Sequence, residues 1–218
     1  MGSIMHLNLD LDNTLKQLTI LYIEDEDNIR INVEKTLQLL CKKVFAVPCA
    51  KTALEVYRDN EIDIILSDIN LPGMNGLKFA KKIRDENRFI PIILLTAHTN
   101  TELLLEATRL RLIDYLTKPI NFELLHTTLK TAAKEIIQNG TFVIKFQNHT
   151  TYNINKKLLQ DTTTNSEIKL TSGEIELLEY LLKYKDRVIS PEEIKSALWD
   201  DSTLATDSAL KNLLNKLR

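Results

Sequence analysis

Two short stretches of the chain, IDIILS at residues 62–67 and IPIILLT at residues 90–96, indicate its architecture. Both are almost wholly apolar, and neither alternates polar with apolar positions. A strand buried on both faces has this composition, because alternation arises only where one face meets water. The two stretches therefore predict central strands of a sheet that is covered on both sides.

Similar runs occur before and after them, LTILYI at 18–23, KVFAV at 43–47 and DYLT at 114–117. Each of the five runs is followed by a stretch of ten or more residues with helical character, at 28–40, 50–59, 76–86, 101–110 and 122–137. Five repeats of strand and helix predict a five-stranded parallel sheet with helices on both faces.

Length and composition describe an ordinary protein of two domains. The chain has 218 residues, 44% hydrophobic residues and a net charge of −2, and a domain typically takes about 100–200 residues. No apolar run approaches the roughly 18 residues of a membrane span, and the N-terminus lacks the order of a signal peptide. We therefore expect a cytoplasmic protein without membrane contact, in which Cys41 and Cys49 stay reduced.

The pattern changes after Asn139-Gly140, where glycine favours a helix stop. Residues 141–170 are rich in β-branched and aromatic residues and predict a small antiparallel sheet. Three helices are predicted after it, capped by Thr171 or Ser172, by Ser190 with Pro191 at the first helical position, and by Thr206 or Asp207. Residues 141–218 are thus predicted to form a smaller α+β domain.

Acidic residues follow two of the predicted strands, Glu24 and Asp25 after the first and Asp68 after the third. Ligands of open parallel sheets bind at the carboxyl ends of strands, so these carboxylates are expected to converge. At about 4 Å and an effective dielectric near 20, two like charges repel by roughly 4 kcal/mol. Such a cluster needs a cation or a proton, and if it binds a metal ion, oxygen ligands in a small pocket favour Mg²⁺ over zinc.

Two other strands deliver Thr96 and Lys118 to the same edge. A hydroxyl and an ammonium beside a divalent cation suit a phosphoryl group, whose oxygens need neutralising on several sides. The chain has no Walker loop, so the nucleophile is sought among the carboxylates, and Asp68 is the best candidate.

The segments ILYIEDE, IILSDINLPGMNGL, PIILLTA and DYLTKP together resemble the receiver domain of two-component response regulators. The resemblance covers residues 18–138 and implies a flavodoxin-like, doubly wound fold. It also implies that Asp68 accepts a phosphoryl group from a sensor histidine kinase. In that reading Glu24, Asp25, Asp68 and the main-chain carbonyl of Asn70 hold Mg²⁺.

The resemblance assigns further roles at this edge of the sheet. Thr96 and Lys118 would contact the phosphoryl oxygens, and the Lys118-Pro119 peptide would be cis. Tyr115 would be the switch aromatic that turns inward as Thr96 moves. Asn70 and His98 occupy positions that tune the lifetime of the acyl phosphate, although His98 is equally well read as an exposed loop residue. Asp27 is expected to cap the following helix rather than to bind metal.

Residues 141–218 resemble the winged helix-turn-helix effector of OmpR/PhoB-type regulators, in which the last helix enters the DNA major groove and a wing follows it. The candidate contacts with double-stranded DNA are Lys211, Asn212, Asn215, Lys216 and Arg218. The charge of this domain gives little support to DNA binding, since residues 141–218 contain eleven basic and eleven acidic residues. The chain stops at Arg218, so we expect a domain that lacks its wing.

The resemblance also implies a homodimer on activation, although the ionic dimer face is incomplete. Arg111-Leu112 replaces the small Gly-Ala pair that is common in this family, and Thr128 occupies a position where the last receiver helix often carries arginine. Asp114 and Lys130 could still contribute to an ionic dimer face. Residues 1–17 are interpreted as a tag remnant and an N-terminal extension.

Besides a phosphorylation-controlled transcription factor, two other functions are alternatives. One is a receiver-gated protein-interaction module whose C-terminal half does not bind DNA. The other is a phosphatase of the haloacid dehalogenase type, which requires an Asp-x-Asp motif, whereas Asp68 is followed by Ile69-Asn70. We therefore expect no enzyme beyond one that catalyses its own phosphorylation and slow dephosphorylation.

Overall fold

The computed structural model describes residues 10–97, 110–185, 187–199 and 204–217. The described chain forms two compact units, one spanning Leu11–Phe142 and the other including Val143–Arg218. His98, Arg218 and most of the helix predicted at 101–110 lie outside the described residues.

The first unit is built on a five-stranded sheet in which every neighbouring pair of strands is parallel. Its strands are β1 (Thr19–Ile23), β2 (Lys43–Val47), β3 (Ile64–Asp68), β4 (Ile92–Thr96) and β5 (Asp114–Thr117). Their order across the sheet is β2-β1-β3-β4-β5, which is the flavodoxin-like order. The predicted α/β fold is confirmed.

The two stretches that predicted central strands are β3 and β4, and every residue of both strands is buried. The described helices of this unit are α1 (Leu11–Leu15), α2 (Asp27–Leu40), α3 (Ala50–Asp59), α4 (Gly76–Glu86) and α5 (Phe122–Gln138). Apolar side chains of α3 and α4, among them Ala53, Phe79 and Ile83, are fully buried against the sheet.

A short helix, α1, belongs to this unit, although no pattern in the sequence predicts it. It packs on α5, with Leu15 buried. The Asp12 carboxylate lies 2.7 Å from His126 Nε2 and 2.8 Å from Lys130 Nζ. Residues 11–17 thus form part of the first unit, and Lys130, one candidate for a dimer face, is paired within the chain.

The second unit has a four-stranded antiparallel sheet and three helices, as predicted. The strands are β6 (Val143–Lys145), β7 (Thr150–Asn153), β8 (Leu158–Asp161) and β9 (Glu167–Lys169), and the helices are α6 (Ser172–Lys183), α7 (Pro191–Leu198) and α8 (Asp207–Leu217). Leu177, Tyr180, Ile194 and Leu210 form the core between the helices.

The helix boundaries follow the predicted caps. Thr171 precedes α6 in a capping box with Glu174, and Ser190 Oγ accepts the Glu193 N–H before α7. Thr206 Oγ1 accepts the Ala209 N–H before α8, so Thr206 is the cap there rather than Asp207. None of the helices described has the length and apolar character that crossing a membrane requires.

Candidate functional site

Three carboxylates meet where β1 and β3 end. Ile23 and Ser67 are register partners, so Glu24 and Asp68 emerge side by side, and Asp25 follows. One carboxylate oxygen from each of the three residues lies within 4.8 Å of the others. Glu24 and Asp68 are buried, whereas Asp25 is exposed. The sequence prediction that these three residues converge therefore agrees with the geometry.

Lys118 reaches this cluster from the end of the edge strand β5. Its Nζ lies 2.5 Å from Asp68 Oδ2 and 2.7 Å from Glu24 Oε2. The Lys118 main-chain N–H donates to the Thr96 carbonyl at 2.8 Å, and the Lys118-Pro119 peptide is cis. The Lys118 ammonium group therefore forms ion pairs with two buried carboxylates.

The electrostatics of the cluster are governed by burial and by this ammonium group. Burial raises the pKa of Glu24, and Lys118 opposes that effect. Burial alone would lower the pKa of Lys118, but hydrogen bonds to Asp68 and Glu24 outweigh it and raise that pKa. Lys118 thus stays charged, and it balances only one of the three carboxylates.

The remaining negative charge and one unsatisfied oxygen fit a divalent cation. Glu24 Oε1 is buried and has no hydrogen-bond partner among the described residues. A buried carboxylate oxygen is costly to leave unpaired, whereas a hard cation with oxygen ligands would satisfy it. Glu24, Asp25 and Asp68 could hold such an ion. The described residues contain no other cluster of three metal-ligating side chains.

The main chain around Asp68 is tightly packed. Asp68 Oδ1 accepts the Asn70 N–H at 3.0 Å, and Gly76 donates its N–H to the Ile69 carbonyl at 2.9 Å. A Cβ at Gly76 would lie 2.1 Å from the Asp68 carbonyl oxygen, so only glycine fits there. Sequence reasoning missed this role, although a glycine at a predicted helix start was a usable signal.

Thr96 and Tyr115 lie on neighbouring strands. Thr96 is the last residue of β4 and is buried. Tyr115 is the register partner of Leu94, two residues before Thr96, so Tyr115 and Thr96 share a face of the sheet. The Tyr115 side chain is 39% exposed.

Sequence reasoning also missed Arg30. Its guanidinium donates to the main-chain carbonyls of Glu24 and Asp25 and forms an ion pair with Asp27. The expectation that Asp27 caps α2 was wrong, because the helix begins at Asp27 and Glu26 is the N-cap residue. The Asp27 carboxylate is engaged by Arg30 one turn along the helix instead.

The second unit presents a polar face on α8. Lys211, Asn212, Asn215 and Lys216 are exposed, whereas Leu210 is buried and the other leucines of the helix pack against the core. Lys216 Nζ lies 3.4 Å from Glu174 Oε1 at the start of α6. These four candidate DNA contacts therefore lie on the solvent side of the helix, and Arg218 lies outside the described residues.

Two family models match the chain. The response regulator receiver domain matches residues 20–130, and the C-terminal domain of transcriptional regulatory proteins matches residues 165–218. The first match covers the sheet and the carboxylate cluster, and the second covers the three helices of the second unit.

Curated relatives match almost the whole chain. The transcriptional regulatory protein CusR of Escherichia coli K12 is 31% identical over 92% of this chain and 89% of its own length. The two-component response regulator PhoP of Pseudomonas aeruginosa is 27% identical over 92% of this chain and 88% of its own length.

Among solved structures, the Vibrio cholerae chemotaxis protein CheY4 has a TM-score of 0.51 and 32% identity, covering 53% of this chain and 98% of its own. Its extent is that of one receiver domain, so the likeness concerns the first unit. The chain therefore belongs to the OmpR/PhoB-type response regulators of two-component systems, which join a receiver domain to a transcriptional regulatory domain.

Proposed function

We propose that Asp68 accepts a phosphoryl group from a sensor histidine kinase and that this modification regulates DNA binding by the second unit. The observation that carries the proposal is the contact of Lys118 with both Asp68 and Glu24 beside a third carboxylate. Phosphoryl transfer requires a nucleophilic carboxylate, a fixed ammonium group and a binding site for a cation.

In the proposed reaction an oxygen of Asp68 attacks the phosphorus of a phosphohistidine on the kinase. The P–N bond breaks, the imidazole leaves with the bonding electrons and takes up a proton, and Asp68 becomes an acyl phosphate. Lys118 already contacts Asp68, so its ammonium is in place to pair with a phosphoryl oxygen. Thr96, at the end of the adjacent strand, would donate its hydroxyl to another.

Glu24, Asp25, Asp68 and the main-chain carbonyl of Asn70 would hold Mg²⁺ in this proposal. When bound, Mg²⁺ neutralises the carboxylates and the phosphoryl oxygens. The unsatisfied Glu24 oxygen and the excess of carboxylates over ammonium support this assignment. The residues alone supply the nucleophile, its orientation by the Asn70 N–H and one counter-charge.

Phosphorylation would act through Thr96 and Tyr115. As Thr96 moves towards the phosphoryl group, the space it leaves on its face of the sheet would admit the Tyr115 ring, which shares that face. Asn70 and His98 would tune the lifetime of the acyl phosphate. The phosphoryl group only has to favour one of two receiver conformations to shift the population.

The output would be binding of double-stranded DNA by α8, with two copies of the chain acting as a homodimer. Exposure of Lys211, Asn212, Asn215 and Lys216 supports a groove-facing helix. Asparagine side chains suit adenine edges, and the lysines suit phosphates or guanine. Arg218 is proposed as a further contact with the DNA.

Replacing the proposed acceptor should abolish modification. We expect Asp68→Asn to prevent labelling by a small phosphodonor such as acetyl phosphate with Mg²⁺, because an amide is not a competent nucleophile. Phosphate-affinity electrophoresis measures the modified fraction. Asp59→Asn, which alters an exposed acid on α3, should be modified like the wild type. Undiminished labelling of Asp68→Asn would disprove the assignment.

Mg²⁺ should stabilise the receiver unit by binding to the carboxylate cluster. At about 100 times its dissociation constant the ion should raise the free energy of unfolding by roughly 2.7 kcal/mol. Urea unfolding with and without Mg²⁺ measures the effect. Asp25→Asn should remove most of it, and Glu26→Gln, at the exposed neighbour outside the cluster, should retain it. An equal response of both variants would place the ion elsewhere.

DNA binding should depend on salt through the lysines of α8. On a random-sequence duplex, Lys211→Ala should reduce the slope of log affinity against log salt concentration by about 0.9. Asn215→Ala should leave that slope unchanged, and so should Lys156→Ala in the β7–β8 turn. Fluorescence anisotropy at several salt concentrations measures these slopes. Absence of salt-dependent binding by the wild type would favour the protein-interaction module instead.

A further inference from the structure

The Arg30 side chain forms hydrogen bonds to the main chain of the loop that carries Glu24 and Asp25. Arg30 Nη1 donates to the Glu24 carbonyl at 2.8 Å and to the Asp25 carbonyl at 3.3 Å. The same guanidinium pairs with the Asp27 carboxylate, and the Arg30 side chain is only 17% exposed. One residue thus connects the first turn of α2 to two consecutive peptide groups of the loop.

These contacts hold the main chain at both acidic residues. The Glu24 N–H donates to the Val47 carbonyl of β2 at 3.1 Å, and its own carbonyl is taken by Arg30. Both main-chain hydrogen-bonding groups of Glu24 are therefore satisfied. Asp25 lies outside β1, and its carbonyl accepts a hydrogen bond from the same Arg30 side chain.

The carboxylates of this cluster repel one another. One oxygen from each lies within 4.8 Å of the others, and the Lys118 ammonium contacts the carboxylates of Glu24 and Asp68. A loop with free carbonyls would relax by turning Asp25 towards solvent, since this lowers the repulsion at little cost. A planar guanidinium with several donors resists that rotation, because it bonds two adjacent carbonyls at once.

We propose that Arg30 is a positioning residue for the divalent cation site. It holds the main chain of Glu24 and Asp25 in the conformation in which their carboxylates meet that of Asp68. The proposal rests on the proposed function, since it concerns the affinity of the same site for Mg²⁺.

Charge alone predicts the opposite result, which makes the proposal testable. Arg30 is a cation near a cation site, so removing it makes the site more negative and should tighten Mg²⁺ binding if only electrostatics mattered. Loss of positioning should weaken binding. Groups that orient metal ligands without touching the ion typically contribute 10–100-fold to metal affinity.

The experiment is calorimetric titration of the full chain with magnesium chloride. We expect Arg30→Ala to bind about tenfold more weakly than the wild type. Arg30→Lys keeps the charge but offers a single ammonium, so it should fall between the two. Arg58→Ala is the matched control, because Arg58 forms an ion pair between exposed side chains, with Glu86, and its loss removes the same charge without touching the loop. It should bind Mg²⁺ like the wild type.

Two sets of results separate the possible failures. If Arg30→Ala binds Mg²⁺ as tightly as the wild type or more tightly, the positioning role is wrong while the site stands. If the wild type binds no Mg²⁺, or Asp25→Asn binds it unchanged, the metal site of the proposed function fails first. Circular dichroism checks that each variant is folded. Should Arg30→Ala unfold, Arg30→Lys decides, and wild-type affinity in that variant overturns the proposal.

Discussion

The ammonium group of Lys118 lies between the carboxylates of Asp68 and Glu24. The carboxylate cluster at the ends of β1 and β3 depends on that contact. Both carboxylates are buried, and a buried charge without a partner is strongly destabilising. Since β5 lies at the sheet edge and β4 separates it from β3, Lys118 has to reach across to the cluster. Its main-chain bond to Thr96 anchors the residue from which it reaches. The order of the strands therefore decides how far Lys118 must reach, and its contact joins the edge strand to the carboxylate cluster.

The same contact explains how the site can respond to modification. Lys118 balances one carboxylate of three, so the cluster favours a cation. In the proposed reaction the cation and Lys118 together would balance the charge of the phosphoryl group on Asp68. Phosphorylation would convert the Asp68 partner of Lys118 from a carboxylate into an acyl phosphate. The charges around Thr96 would change with it, while the buried β3 and β4 provide a rigid base. A local change of charge would thus be imposed on the end of β4, on the face of the sheet that Thr96 shares with Tyr115.

Much of this arrangement could be predicted from the sequence because it depends on regular patterns. Unalternated apolar runs predicted β3 and β4, and the parallel sheet then predicted that Glu24, Asp25, Asp68 and Lys118 would meet at one edge. The helix caps of the second unit could also be predicted, since Thr171 and Ser190 precede helices in sequence patterns with a known hydrogen-bonding role.

The features that escaped prediction depend on contacts without a periodic signal. Helix α1 has five residues, too few for a helical period, and its anchor joins Asp12 to His126 across 114 residues of sequence. Arg30 bonds main-chain carbonyls, which every residue possesses, so no partner residue marks the contact in the sequence. The pairing of Lys216 with Glu174 likewise depends on how two helices of the second unit pack.

The central claim is that Asp68 is the acceptor within a site completed by a cation. Acyl phosphates are reduced by borohydride, which converts the modified aspartate into homoserine, so the position can be trapped and found by peptide mass mapping. After incubation with acetyl phosphate, we expect homoserine at position 68 when Mg²⁺ is present and a much smaller amount when it is chelated. Modification of Asp25 or of any other residue instead of Asp68, or modification of Asp68 that is indifferent to Mg²⁺, would contradict the central claim.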